Sequence, residues 1–130
     1  PAGSASAIPH RWLDKICRPL TKEEIRSIVK SFGDGAYNAK RGGFDGIEVH
    51  AVHEGYLLDQ FAISMFNQRE DEYGGSLKNR LRFAREVVEE IKSRCGEDFP
   101  VVLRYSVKSM IKTGERAPFP VRILRKRAVI

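Results

Sequence analysis

Two histidines and a tyrosine stand close enough in the sequence to act on one small molecule. His50 and His53 are three residues apart, and Tyr56 follows three residues later. Two imidazole rings can donate hydrogen bonds to one carbonyl oxygen and so withdraw electrons from a conjugated double bond. A nearby tyrosine hydroxyl can deliver a proton to the carbon that becomes electron-rich. The alternative interpretation is that all three are surface or packing residues of a loop.

The position of these residues depends on the strand that precedes them. Residues 44–50 contain β-branched residues and follow a glycine pair, so they predict a strand. A helix should come before it, because Thr21 and Glu24 have the spacing of a capping box and apolar residues then recur every three or four positions. Gly33 and Gly35 weaken that helix, so we expect its middle to depend on packing.

A second helix and a second strand follow. Residues 56–63 predict a short helical turn and residues 67–75 a polar loop, after which Ser76 can cap a long helix that ends at Gly96. Residues 99–106 have the apolar run of a strand that is covered on both faces. Helix, strand, helix, strand with short connections is typical of parallel βα units, whose strand ends carry the active site when they form a barrel.

Composition narrows the class of protein. The chain has 130 residues, of which 42% are apolar and 31% charged, as is ordinary for a globular domain. No apolar run approaches the roughly 20 residues of a membrane span, and the start lacks a secretory signal pattern, so we expect a cytoplasmic protein without a membrane partner. Cys17 and Cys95 are not closely spaced, so we expect neither a disulfide framework nor a metal site.

The run from residue 43 to residue 106 closely resembles the middle of Old Yellow Enzyme family barrels. Its most specific parts are His-Glu-Gly-Tyr-Leu-Leu-Asp-Gln-Phe at residues 53–61 and Asp-Glu-Tyr-Gly-Gly-Ser-Leu-Lys-Asn-Arg-Leu-Arg-Phe at residues 71–83. The resemblance covers about half of the chain, and the preceding helix extends it. It implies an α/β fold in which residues 1–112 form part of a (β/α)8 TIM barrel, with about two strands and two long helices. A whole barrel typically takes around 250 residues.

The resemblance also implies an activity and roles for individual residues. In that family FMN is reduced by NADH or NADPH and exchanges a hydride with an activated C=C bond, here of an enoate, enoyl-CoA or 3-oxo-steroid-like substrate. His50 and His53 match the pair that binds the substrate's carbonyl or carboxylate oxygen, and Tyr56 resembles the proton donor. Arg104 is similar to the arginine at the N1 and O2 edge of the flavin, where a cation stabilises reduced flavin. The alternative for Arg104 is an ion pair between strands.

One departure from the shorter family members is the insertion of Glu54 before Gly55. It resembles the larger 2-enoate reductases, 2,4-dienoyl-CoA reductases and bile-acid-pathway NADH:flavin oxidoreductases. Such relatives also carry a four-iron four-sulfur cluster and FAD. We expect neither in this chain, because its two cysteines fit no cluster motif and it contains no Gly-x-Gly-x-x-Gly fingerprint. The remaining charged residues are expected to hold the loop and the second helix in place: Asp59, Arg69, Glu70, Asp71, Arg80 and Arg82.

Residues 113–130 form a basic tail that differs from the rest of the chain. Residues 112–130 contain six basic residues and one acidic residue, which is +5 of the net charge of +6. With suitable codons, a reading frame shifted by one nucleotide would encode a sequence that resembles the family's continuation, so we interpret the tail as a frameshift product. The alternative is a basic arm that binds nucleic acid or an acidic partner. Interleaved aromatic residues are lacking beyond Phe119, so no nucleic-acid partner is expected.

Two functions remain open from the sequence. The first is a fragment of an FMN-dependent ene-reductase for a small-molecule alkene, which in isolation should have little or no activity. The second is a non-catalytic half-barrel that acts as a binding or assembly module. This second function predicts a homo-oligomer, because unpaired sheet edges otherwise invite aggregation.

Overall fold

The computed structural model describes residues 3–8, 16–51 and 56–105. His53 and the basic tail, with its predicted boundary after residue 112, lie outside these residues. The elements in chain order are β1 (Gly3–Ser4), β2 (Arg18–Pro19), α1 (Lys22–Arg41), β3 (Ile47–His50), α2 (Leu57–Ala62), α3 (Leu77–Arg80), α4 (Arg82–Cys95) and β4 (Val101–Arg104).

Helix α1 begins at the predicted capping box. The Glu24 backbone N–H donates to Thr21 Oγ1 at 3.2 Å, and the Thr21 backbone N–H donates to Glu24 Oε2 at 2.9 Å. The Arg18 guanidinium also donates to both carboxylate oxygens of Glu24, at 2.7 and 2.5 Å. These hydrogen bonds, first from Arg18 and then from Thr21, lower the pKa of Glu24 to about 2. The sequence-based helix start is therefore confirmed.

The two long helices pack against each other at a glycine. Gly33 of α1 is buried, and a Cβ placed on it would lie 2.7 Å from Arg94 Cδ and 2.7 Å from Glu90 Cγ of α4. Gly35 is exposed, and a Cβ there would meet no atom within 4 Å. The middle of α1 therefore packs closely against side chains of α4 at Gly33. That its stability depends on this packing stays a prediction.

Strands β3 and β4 form a two-stranded parallel sheet whose one face lies on the helices. The register pairs Ile47 with Val101 and continues in step to the last residue of each strand. Val49 and Val101 are 2% and 1% exposed, and they join the core with the apolar faces of α1 and α4. Val102, on the opposite face, is 48% exposed, so the helices cover one face of this sheet within the described residues.

The structure differs from the sequence-based elements in the second long helix, in the starts of both predicted strands and in the segment before α1. The helix predicted from Ser76 to Gly96 is interrupted at Leu81, which has φ −86° and ψ −5°. The first strand begins at residue 47 rather than 44, where the Ile47 N–H donates to the Pro100 carbonyl at 3.0 Å, and the second strand begins at residue 101 rather than 99. Before α1, β1 and β2 pair as a short parallel ladder that the sequence-based elements do not include.

Candidate active site

His50 and Arg104 end the two strands side by side. They are partners in the parallel register, and the Ala51 N–H donates to the Arg104 carbonyl at 2.9 Å, so the pairing continues one step beyond the strands. Both side chains are exposed, as are Glu48 and Val102 two residues before them, whereas the intervening Val49 is buried. Because side chains alternate along a strand, these four exposed residues share the face opposite the helices.

Tyr56 lies at the same strand end as His50. Its ring lies edge-on to the His50 imidazole, with the ring centroids 5.2 Å apart and the planes at 81°. Tyr56 is 55% exposed and stands immediately before α2, and its carbonyl accepts the Gln60 N–H at 2.9 Å. Of the predicted histidine and tyrosine set, the structure thus brings His50 and Tyr56 together. The position of His53 relative to them stays a prediction.

Arg104 forms the ion pair that was its alternative interpretation. Its Nη2 lies 2.8 Å from Oε1 of Glu48 on the neighbouring strand, and each side chain is about half exposed. This ion pair does not exclude the flavin role of Arg104, because a guanidinium has five N–H donors and can bind more than one acceptor. The flavin role stays a prediction. Sequence reasoning missed Glu48. The available signal was an acidic residue two positions before His50 on the same strand face.

The polar loop between α2 and α3 is connected through Arg69 to the residues that follow β1 and β2. Arg69 donates to the carbonyls of Ala5 and Leu20, and it pairs with Asp71 at 2.6 Å. The hydrogen bond from Arg69 also lowers the pKa of Asp71 below its ordinary value. Asn67 donates to the carbonyls at both ends of this loop, at 2.6 and 2.7 Å. The structural role predicted for Arg69 and Asp71 is confirmed.

Two further arginines fix the segment that joins α2 to α4. Arg80 Nε donates to the Ala62 carbonyl, and Arg82 Nε donates to the Glu72 carbonyl, both at 2.9 Å. The interruption at Leu81 lies between these two arginines, which bond carbonyls in different segments. The predicted structural role of Arg80 and Arg82 is therefore confirmed as well.

The start of the chain is attached to α2 by buried polar groups. Ser4 Oγ donates to Gln60 Oε1 at 2.8 Å, and the Gln68 N–H donates to Ser6 Oγ at the same distance.

Tyr73, in the polar loop that follows α2, is 4% exposed, and its hydroxyl donates to Glu86 at 2.9 Å. Burial, and next this hydrogen bond, raise the pKa of Tyr73 to about 12. This tyrosine therefore stays protonated and has a packing role.

The described residues contain no metal centre and no membrane span. Within residues 3–8, 16–51 and 56–105, no three histidine, cysteine or acidic side chains are grouped so that they could hold a metal ion. None of the helices in these ranges combines the length and the apolar character that crossing a bilayer requires.

Most of the chain is similar in sequence to known proteins. The NADH:flavin oxidoreductase / NADH oxidase family matches residues 4–118. Cinnamate reductase of Clostridium sporogenes is 69% identical over 120 residues, a match that covers 92% of this chain and 18% of that protein. The chain thus spans less than a fifth of the length of this relative.

Solved structures resemble the fold of the described residues. Morphinone reductase in complex with tetrahydroNAD superposes with a TM-score of 0.71 at 33% identity, covering 78% of this chain and 32% of that one. The Old Yellow Enzyme homologue of Zymomonas mobilis superposes with a TM-score of 0.74 at 30% identity, covering 82% of this chain and 32% of that one. The predicted fold class, part of a (β/α)8 barrel, is confirmed by these likenesses.

Proposed function

The chain belongs to the NADH:flavin oxidoreductase / NADH oxidase family, and we propose from this that it is a segment of an FMN-dependent ene-reductase that uses a nicotinamide as reductant. The segment contributes two neighbouring strands, β3 and β4, whose carboxyl ends meet at one edge. Active sites of (β/α)8 barrels lie at that edge. We call the flavin-loaded barrel that carries this segment the holoenzyme.

The observation that carries the proposal is the group of side chains at this edge. His50 lies beside Arg104 in the register and in ring contact with Tyr56. An imidazole donor, a permanent cation and a phenol on one exposed edge are the groups needed to bind an oxygen anion, stabilise negative charge and supply a proton. The packing and surface roles considered for these residues do not require them to converge there.

The donor set fits an FMN ring. The Arg104 guanidinium would face the N1 and O2 edge of the ring, because it remains charged and can donate several N–H groups to an electron-rich edge. When bound, FMN supplies the hydride-transfer chemistry. The chain's own residues bind and protonate: His50, with His53, holds the substrate oxygen, and Tyr56 delivers the proton to the carbon next to the activating group.

An enoate is the substrate class that we favour. The 69% identity to a protein named cinnamate reductase supports a carboxylate next to a C=C bond. A histidine side chain can donate a hydrogen bond to such a carboxylate and, when protonated, can partly offset its charge. Enoyl-CoA and 3-oxo-steroid-like alkenes present a carbonyl oxygen to the same donor and are the next candidates.

Ligand titration of the holoenzyme tests the substrate-binding role. A carboxylate ligand that binds over the flavin should change the flavin absorbance spectrum. We expect His50→Ala to weaken this binding roughly tenfold or more, because a hydrogen bond to a charged group is lost. Arg85→Ala, which removes an exposed side chain from the outer surface of α4, serves as the control. A spectral change of unaltered size and affinity in His50→Ala would contradict the role.

A further inference from the structure

The ion pair between Glu48 and Arg104 connects adjacent strands on the face that carries the candidate site. Glu48 is two residues before His50, and His50 is the register partner of Arg104, so Glu48 reaches diagonally to the end of the neighbouring strand. Diagonal neighbours on one sheet face are within reach of long side chains. The carboxylate therefore holds the guanidinium from the amino-terminal side of the strand end.

Stability alone is a weak explanation for this pair. The Arg104 and Glu48 side chains are 55% and 46% exposed, and ion pairs with this exposure contribute little to folding. Arginine has a long side chain with several rotatable bonds, and its planar N–H groups bind well only when their directions are fixed. A carboxylate on Nη2 restricts those directions and so reduces the entropy that is lost when the remaining groups bind an acceptor.

We propose that Glu48 is a positioning residue that orients Arg104 toward the flavin. This inference rests on the proposed function, because it needs a flavin edge beside Arg104. Glu48 itself acts only through Arg104, as its carboxylate would repel the negative charge of reduced flavin if it faced the ring unpaired. The ion pair thus combines a fixed cation with a shielded anion.

A double-mutant cycle on FMN binding tests the inference. Flavin is removed from the wild-type holoenzyme, from the Glu48→Gln and Arg104→Ala variants and from the double variant. The dissociation constant of FMN for each apoprotein is then measured by fluorescence. Glutamine keeps the shape of Glu48 but removes its charge. We expect Glu48→Gln to raise the dissociation constant roughly tenfold, a coupling typical of contacting residues. In the Arg104→Ala background the same change should leave the constant unaltered or lower it.

The midpoint potential of the bound flavin distinguishes positioning from a simple field effect. If Glu48 acts by orienting Arg104, Glu48→Gln and Arg104→Ala both remove an oriented cation from the ring, and both should lower the potential. If Glu48 acts only through its own charge, Glu48→Gln should raise the potential, because reduced flavin would lose a nearby negative charge. Glu89→Gln, on the outer face of α4 beside Arg85, is the matched control and should change neither quantity.

The outcomes separate this inference from the proposed function. An equal loss of FMN affinity from Glu48→Gln with and without Arg104, no loss in either background, or a raised potential would overturn the positioning role alone. A wild-type protein that holds no FMN, or an Arg104→Ala variant with unaltered FMN affinity and potential, would overturn the proposed role of Arg104 at the flavin and the inference with it.

Discussion

At the end of β3, His50 is a candidate site residue because of the side chains that lie beside it. An imidazole can donate to an oxygen anywhere on a protein surface, but here Arg104 lies beside it on the next strand and the Tyr56 ring lies 5.2 Å away. The sequence could indicate His50, Tyr56 and Arg104 because a recognisable motif contains them. It could not indicate the Glu48 contact, because that contact depends on the register of strands more than 50 positions apart in the chain.

Removal of the Tyr56 hydroxyl tests its role as proton donor. We expect Tyr56→Phe in the holoenzyme to lower kcat for enoate reduction about 10²–10⁴-fold, the usual contribution of a positioned acid. KM and FMN content should change little, because the ring that contacts His50 is retained. Tyr37→Phe, an exposed tyrosine on α1, is the matched control. Steady-state kinetics that give the same kcat for both variants would exclude Tyr56 as the donor.

The hydrogen bonds to Glu24 make the start of α1 sensitive to acid. The pKa of Glu24 falls from 4.5 to about 2 in the folded chain, first because of the hydrogen bond from Arg18. Its stabilising contribution is therefore present above about pH 4.5 and is lost as the pH falls toward about 2. We expect Glu24→Gln to lower the urea midpoint of the chain at pH 6 and to have a smaller effect at pH 3.

Circular dichroism during urea unfolding at the two pH values measures this difference. Glu89→Gln removes an exposed carboxylate that pairs with Arg85 on α4 and is expected to change the midpoint little. If the difference between Glu24→Gln and the wild-type chain were as large at pH 3 as at pH 6, the shifted carboxylate would not be its cause.

At the scale of elements, α1 and α3 begin where the sequence contains a helix-capping residue. The capping box of Thr21 and Glu24 begins α1, and Ser76 caps the helical segment that follows it, with its Oγ accepting the Asn79 N–H at 3.3 Å. The interruption at Leu81 was not predictable, because it accompanies hydrogen bonds from the flanking arginines to distant carbonyls. Pairing of β1 with β2 likewise depends on contacts that apolar periodicity does not report.

The two glycines of α1 offer a direct test of how α1 and α4 pack. We expect Gly35→Ala to stabilise the chain by roughly 0.5–1 kcal/mol, because alanine favours a helix and the added methyl meets open space. Gly33→Ala should stabilise the chain less than Gly35→Ala does, because the methyl would displace the side chains of Glu90 and Arg94, which pair with each other, and this cost offsets the gain in helix propensity. Urea unfolding of both variants measures the contrast. Equal stabilisation by both would show that α4 does not press on Gly33.

At the scale of the whole molecule, the described residues contain one unit in which helices connect two parallel strands, the unit from which (β/α)8 barrels are built. Eight strands close such a barrel, and in the proposed function β3 and β4 would supply two of them. The half-exposed Val102 lies on the sheet face that turns toward the centre of such a barrel. The same exposed face is the feature that favours the alternative function, in which a half-barrel assembles with copies of itself and holds no flavin.

Flavin content, molecular size and NADH-dependent reduction of cinnamate, measured on the same samples, test whether this chain is a segment of a flavin enzyme. We predict about one FMN per chain of the whole barrel protein, reduction of the cinnamate C=C bond at the expense of NADH, and little or no activity from the 130-residue chain alone. A whole barrel protein that is purified without flavin, or a flavin-free 130-residue chain that forms a defined oligomer, would favour assembly instead. Tightly bound FMN and alkene reduction by the 130-residue chain itself would contradict the claim that it is only a segment of the active barrel.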